Sequence, residues 1–345
     1  MSNNKLFIQT LKGQQSDRVP FWFMRQAGRY LPEYLALRKE AGSFLDLCYN
    51  PDFATEVTLQ PLRRFNMDAA ILFSDILVIP HALGQDLAFK TGEGPVLTPV
   101  DNIEKLEALS MDRLHDHLNP VYNTISNLSD KLPDHVALIG FAGAPWTVAT
   151  YMVTGRGSKD QAETRLMAYQ DRETFQKLID LLVTSTSEYL IRQVEHGAEA
   201  LQVFDSWAGN LPADEFIQWC VEPMIKIVEN IRAVHPDIPI IGFPKGAGAK
   251  IKNYVKKTKV DAVSIDTSTS TSWVKNVVQP LCPVQGNLDP LLLVRGGKPL
   301  EKAVYHILDH LKEGSHVFNL GHGIIPQTPP ENVKMVSDIL LNYRR

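Results

Sequence analysis

Short, nearly continuous apolar runs recur along this chain at 19–24, 69–75, 136–143, 200–206, 238–246, 260–266, 283–289 and 316–323. Each ends in a polar or glycine-bearing turn, and most are followed by a longer amphipathic stretch. Runs that do not alternate apolar with polar positions suit parallel strands buried on both faces. The intervening segments 162–197, 215–236, 301–314 and 331–343 have helical spacing, and the first ends on Gly197. Eight strand-like runs alternating with helices predict an α/β fold, a (β/α)8 barrel. A doubly wound open sheet is the alternative. No GxGxxG follows the first run, which weakens the dinucleotide-binding version of that sheet.

A barrel of this kind carries its chemistry at the carboxyl ends of its strands. Here those ends hold Arg25 to Arg29, Asp75, Gly143 to Thr147, Asp205 and Ser206, Lys245, Asp266, Asp289, and Gly321 to Gly323. Arg25 and Arg29 stand four apart with Gln26, Ala27 and Gly28 between them. Gly28 lets the backbone turn tightly, so two guanidiniums can be aimed at one carboxylate-binding place; ordinary surface ion pairs are the other reading. Arg38 lies in a helix-like stretch and reads more readily as a solvated helix arginine than as a ligand contact. Asp75 closes an apolar run, so its carboxylate is partly desolvated and could accept several N–H donors from one ligand. It could equally be an N-cap. Asp205, Asp266 and Asp289 read as caps and supporting partners, since no HxH, HExxH or His/Cys cluster accompanies them. Ser206 has no GxSxG around it, which argues against a nucleophile. Tyr151, about one turn into the helix after the third run, reads either as a mouth hydroxyl or as a half-buried core tyrosine. Lys245 could be a Schiff-base lysine, but an anion contact or plain exposure is favoured. His322 sits between two glycines, an arrangement that allows close backbone approach to a ligand.

Composition narrows the partners. The 345 residues are 44% hydrophobic and 21% charged, which excludes a disordered chain and a coiled coil. A formal net charge of −4 excludes a broadly basic surface for nucleic acid, so anion recognition must come from a local cluster. Three cysteines, Cys48, Cys220 and Cys282, form no close pair and suit a reducing, cytoplasmic setting. No signal peptide is read at the start. The uncharged stretch 136–155 approaches membrane-spanning length, but Gly140, Gly143 and Pro145 interrupt it; a buried strand, a turn and a helix start explain it better.

The segments PFWFMRQAGRYLPEY, GFAGAPWTVATYM, QVFDSWAG, QGNLDP and FNLGHGIIPQTPPENV resemble the uroporphyrinogen decarboxylase family, and the resemblance runs over essentially the whole chain. It departs at Thr154, where the family pattern leads one to expect an acidic residue, and at Arg156, where a smaller or more neutral one is expected. The resemblance implies one barrel domain over 1–345, a cytoplasmic homodimer, no cofactor, no metal, and no nucleic-acid or membrane partner. It implies conversion of uroporphyrinogen III to coproporphyrinogen III by loss of CO2 from four acetate side chains. Arg25, Gln26, Ala27, Gly28, Arg29 and, further off, Arg38 would contact substrate. Asp75 would sit under the macrocycle centre and stabilise the protonated pyrrole. Tyr151, Ser206 and His322 would hold side chains at the reacting edge. Two other readings compete. One is a zinc-dependent methyltransferase, which needs late His/Cys ligands that IIGFPKGAG does not supply. The other is a non-catalytic tetrapyrrole-binding protein.

Overall fold

The computed structural model describes residues 4–90 and 92–345. Seven parallel strands form one curved sheet: β1 (Ala69–Ile71), β4 (Ala137–Gly143), β5 (Ala200–Asp205), β6 (Ile240–Pro244), β7 (Ala262–Ser264), β8 (Val284–Leu288) and β9 (His316–Leu320), in that spatial order. Two further strands, β2 (Leu87–Lys90) and β3 (Gly94–Leu97), pair as an antiparallel hairpin outside it. The eighth stave is the first apolar run, reduced to a single bridge. Phe21 bridges Phe318 in parallel. Phe318 N–H donates to Pro20 O at 2.8 Å, and Asp68 N–H donates to Phe21 O at 3.0 Å. The run therefore joins β9 to the start of β1 and closes the barrel. Pro20 has no N–H to give a ladder, which limits how far regular pairing extends here.

The strands sit inside the eight expected runs but are shorter, because each run continues into its loop. The segment 162–197 is two helices, Ala162–Gln170 and Arg172–Glu195; Asp171 breaks it by capping the second, accepting from Thr174 N–H at 3.1 Å. The segment 136–155 is β4 followed by the helix Pro145–Thr154. Among the described residues no helix is long and apolar enough to cross a membrane.

The barrel interior explains the alanines that open four strands. Ala69, Ala137, Ala200 and Ala262 are each the first residue of their strand and leave room at that end of the barrel. The short helix Leu6–Leu11 fills it with Phe7, Ile8 and Leu11, packed with Trp22, Ile139, Ile241, Phe243 and Val317. Burying one such aromatic contributes on the order of 2 kcal/mol. Above this plug lies a polar layer centred on Gln285. Trp22 Nε1 donates to Gln285 Oε1 at 2.8 Å, and Gln285 Nε2 donates to Gln202 Oε1 and Ser264 Oγ at 2.9 and 2.7 Å. These bonds tie the first apolar run, β5, β7 and β8 together across the barrel interior, below the strand ends that face away from the helix plug.

Candidate active site

At the carboxyl ends of the strands the loop after the first run is tied to the end of β9. Met24 N–H donates to Asn319 Oδ1 at 3.0 Å, and Ile324 N–H donates to Met24 O at 2.8 Å. The next residue, Arg25, takes a left-handed backbone with φ 60°, a conformation unfavourable for any residue with a Cβ. The special backbone thus falls on Arg25, not on Gly28. Gly28 is nonetheless needed small, since a Cβ there would lie 3.2 Å from Arg25 O. Gln26 is fully buried, and neither amide atom of its side chain has a hydrogen-bond partner. Ala27 and Gly28 are half-buried, and Arg25 and Arg29 are exposed. Neither arginine is in an ion pair among the described residues.

The two glycines around His322 serve packing within the protein. A Cβ on Gly321 would sit 2.4 Å from Thr267 N, and one on Gly323 would sit 2.4 Å from Arg25 Cδ. They bring β9's end against the β7 loop and the Arg25 side chain, rather than bringing backbone to a ligand as expected. His322 is left half-buried between cations. Burial, Arg25 and Lys245 together lower its pKa to about 4, against a small opposing pull from Asp266. The imidazole is therefore neutral at pH 7.

Asp75 lies four residues past the end of β1, not on the strand. Its Oδ1 accepts from Leu77 N–H at 2.9 Å in a local turn; the following helix, Val78–Ala82, has Leu77 at its N-cap, so Asp75 is not the cap. Burial raises its pKa to about 6, with Leu77 N–H and Arg25 pulling it down. Even so, one backbone donor leaves most of the lone-pair capacity of the carboxylate unused.

Tyr151 is nearly two turns into the helix Pro145–Thr154, further along than one turn. Its pKa is raised by burial, with Trp207 close enough to its hydroxyl to pull the other way, and with Asp75 and Arg25 in electrostatic reach. Ser206 follows β5, half-buried. Arg38 donates to Gly42 O at 2.7 Å and lies over the Phe44 ring; its charge reaches Tyr34, as does that of Arg29. The structure gathers Asp75, Tyr151 and His322 around Arg25 and leaves Arg29 and Arg38 on the Tyr34 side.

The other strand-end aspartates support this rim. Asp205, buried and raised to about 6 by that burial, accepts from Thr147 Oγ1 at 2.6 Å, while Thr147 Oγ1 accepts from Trp207 N–H at 3.2 Å. Asp266 accepts from Gly246 N–H at 2.6 Å and Ser268 N–H at 2.9 Å. Asp289 caps the helix Pro290–Arg295. Trp207 was not singled out by the sequence, yet it joins Tyr151 to Lys245, whose Nζ lies 5.9 Å from its ring centre. Thr154 turns the chain toward the β2–β3 hairpin, donating to Thr150 O at 2.6 Å, and Arg156 bridges Val96. The hairpin packs Leu87, Phe89 and Leu97 beside Tyr151 and Leu77.

Fold and rim together define a parallel α/β barrel whose carboxyl-end rim sets Arg25 and Lys245 near His322 and Arg25 near the desolvated carboxylate of Asp75. Among the described residues no group of three or more His, Cys, Asp or Glu is placed to hold a metal ion. The family profile described as Uroporphyrinogen decarboxylase (URO-D) matches residues 2–343. A uroporphyrinogen decarboxylase of Rhodospirillum rubrum is 53% identical over 336 residues, covering 97% of both chains. One of Mesorhizobium japonicum is 53% identical over 334 residues, again covering 97% of both. The chain belongs to the uroporphyrinogen decarboxylase family. A solved methyltransferase from Methanosarcina mazei shares the fold, with TM-score 0.76 at 20% identity over 97% of this chain and 98% of that one.

Proposed function

We propose that this chain is a carboxy-lyase of porphyrin biosynthesis, converting uroporphyrinogen III to coproporphyrinogen III. Family membership supports the reaction, and one observation carries the site: Asp75, desolvated yet still open, within electrostatic reach of the unpaired Arg25. In each round one acetate C–C bond breaks and one C–H bond forms, so CO2 leaves and one proton is consumed. Protonating a pyrrole carbon beside the acetate makes a cationic, iminium-like ring. The electrons of the breaking C–C bond neutralise that ring, and a second proton transfer completes the methyl group while the ring proton departs.

The residues would divide this work by charge. With a pKa of about 6, Asp75 is mainly ionised at pH 7. Its free lone pairs would accept the pyrrole N–H groups and stabilise the ring cation as it forms; preorganised charge of this kind is often the largest catalytic contribution. Arg25 and Arg29 would hold carboxylates bidentately and so orient the reacting acetate, with Gln26, Ala27 and Gly28 shaping that turn and Arg38 further out. Tyr151, Ser206 and His322 would hold side chains at the reacting edge. Neutral His322 has no proton to spare in the free protein; a bound carboxylate would raise its pKa, so substrate binding would bring a proton to this edge.

The reading takes residues 1–345 as one domain and the enzyme as a cytoplasmic homodimer. Three separately buried free cysteines suit a reducing compartment, and sedimentation of the purified protein tests the dimer. The deciding experiment is CO2 release from uroporphyrinogen III with coproporphyrinogen III as product. Tight binding of the substrate without CO2 would establish the non-catalytic tetrapyrrole-binding reading instead.

A further inference from the structure

One cation on the rim has no part in the chemistry above. Lys245 follows the last residue of β6, and its backbone is fixed on both sides: its N–H donates to Asp205 O at 3.1 Å and its carbonyl accepts from Gly209 N–H at 2.9 Å. Its half-buried side chain projects beside Trp207, with Nζ 5.9 Å from the ring centre. No carboxylate among the described residues pairs with it. The acids at the ends of the two flanking strands do not pair with it. Asp266 spends one oxygen on Gly246 N–H and the other on Ser268 N–H and the hydroxyls of Ser268 and Thr269. Asp205 is sealed beneath the rim on Thr147. Lys250, five residues on, makes the contrast. It donates to Leu211 O at 2.8 Å and lies 4.7 Å from the Phe216 ring centre, so its charge is satisfied within the protein.

We propose that Lys245 is a substrate-carboxylate contact, holding one carboxylate of the bound polyanion on the Trp207–His322 side of the mouth. This rests on the decarboxylase reading and extends it to a cation that reading leaves idle. The face of Trp207 guides the lysine stem and attracts its ammonium weakly, an arrangement that presents the charge without neutralising it. Arg25 and Lys245 both act on His322, so a negative group bound at this edge would be attracted by both cations.

Lys245→Met and Lys245→Arg test this by steady-state kinetics with uroporphyrinogen III and by equilibrium binding of uroporphyrin I, an octacarboxylate without the reduced pyrroles. Lys245→Met should lower kcat/KM about tenfold, mainly through KM, and weaken uroporphyrin binding by a similar factor. Lys245→Arg should recover most of both. In Lys245→Met the His322 ring-proton titration should move up toward its ordinary value, which checks that the ammonium faces this edge, while KM and uroporphyrin affinity decide its role. KM and uroporphyrin affinity within twofold of the parent, or an arginine variant as impaired as the methionine variant, would overturn the assignment. If the parent protein releases no CO2, the decarboxylase reading falls; the uroporphyrin binding of the same variants still decides the role of Lys245.

Discussion

The two ends of this barrel handle charge in opposite ways. Around a hollow at the amino ends of the strands, Lys5 and Arg18 are both paired within the protein. Lys5 donates to Glu199 at 2.6 Å and to Val136 O at 2.8 Å. Arg18 grips both oxygens of Asp68, one at 2.8 Å, and the same carboxylate accepts from Phe21 N–H at 2.9 Å. A surface hollow there is lined by Lys5, Arg18, Asp68, Asp134 and His135, and its principal charges cancel. At the carboxyl ends Arg25, Arg29 and Lys245 stand without carboxylates, while Asp75 is desolvated with spare acceptor capacity. Hollows therefore do not by themselves mark function in this molecule. What distinguishes the two ends is which charges the fold leaves for something else to complete.

Breaking each end in turn should give opposite phenotypes. The largest effect belongs to the amino end. Phe7 is fully buried in the plug, and Phe7→Ala should cost about 3–5 kcal/mol of stability in denaturant unfolding. KM of the fraction still folded should stay near the parent value. A KM change as large as the stability loss would mean that the plug shapes the mouth.

Asp75→Asn comes next and should do the reverse. Losing the fixed anion should lower kcat by about 10²–10³-fold. Because folding raises the Asp75 pKa from 3.8 to about 6, its ionised form is less favourable in the folded protein than in the unfolded chain above pH 6. Asparagine keeps an acceptor for Leu77 N–H without that penalty, so stability at pH 7 should rise by on the order of 1 kcal/mol. A rate within about threefold of the parent sinks the role assigned to Asp75.

Arg29→Lys is expected to be milder. The lysine keeps the charge but loses the two-pronged grip, so KM should rise about tenfold, roughly 1.4 kcal/mol. Unchanged KM and kcat would remove Arg29 from the site and leave Arg25 as the carboxylate contact beside Asp75.

Much of this contrast was legible in the sequence, because both barrel staves and strand-end loops leave one-dimensional marks. The apolar runs located the staves, and their polar ends located Arg25, Asp75 and His322. Two things were not legible. The β2–β3 hairpin was missed although Gly92 and Gly94, both with positive φ, sit at its turn between LAFK and PVL; its strands are too short to stand out from a loop. The work of Trp207 was hidden for a different reason. Nothing in its neighbours says that one ring lies against the hydroxyl of one strand's helix and the ammonium of another strand's end. Glycine roles were half legible: Gly321 and Gly323 marked close approach, but only the fold says that Thr267 and Arg25 are what approach.

The finest test separates two aspartates that burial has made alike. Asp75 and Asp205 both titrate at about 6, each raised chiefly by burial. They differ in what can reach them. Asp75 is half-buried, with one backbone donor, whereas Asp205 is 2% exposed, with one oxygen on Thr147 and the other out of reach of a ligand. If catalysis needs the Asp75 anion, kcat/KM should fall below pH 6 by about tenfold per unit. His322, at about 4, is already neutral there and adds nothing to that limb. Asp205→Asn should disturb the Thr147–Trp207 support and lower the plateau, but its acid limb should stay within about 0.3 unit of the parent position. In Asp75→Asn the limb near 6 should vanish from whatever activity is left. A limb that moves with Asp205 instead would put the controlling titration in the sealed pair beneath the rim, and the free carboxylate of the mouth would lose its claim to the chemistry.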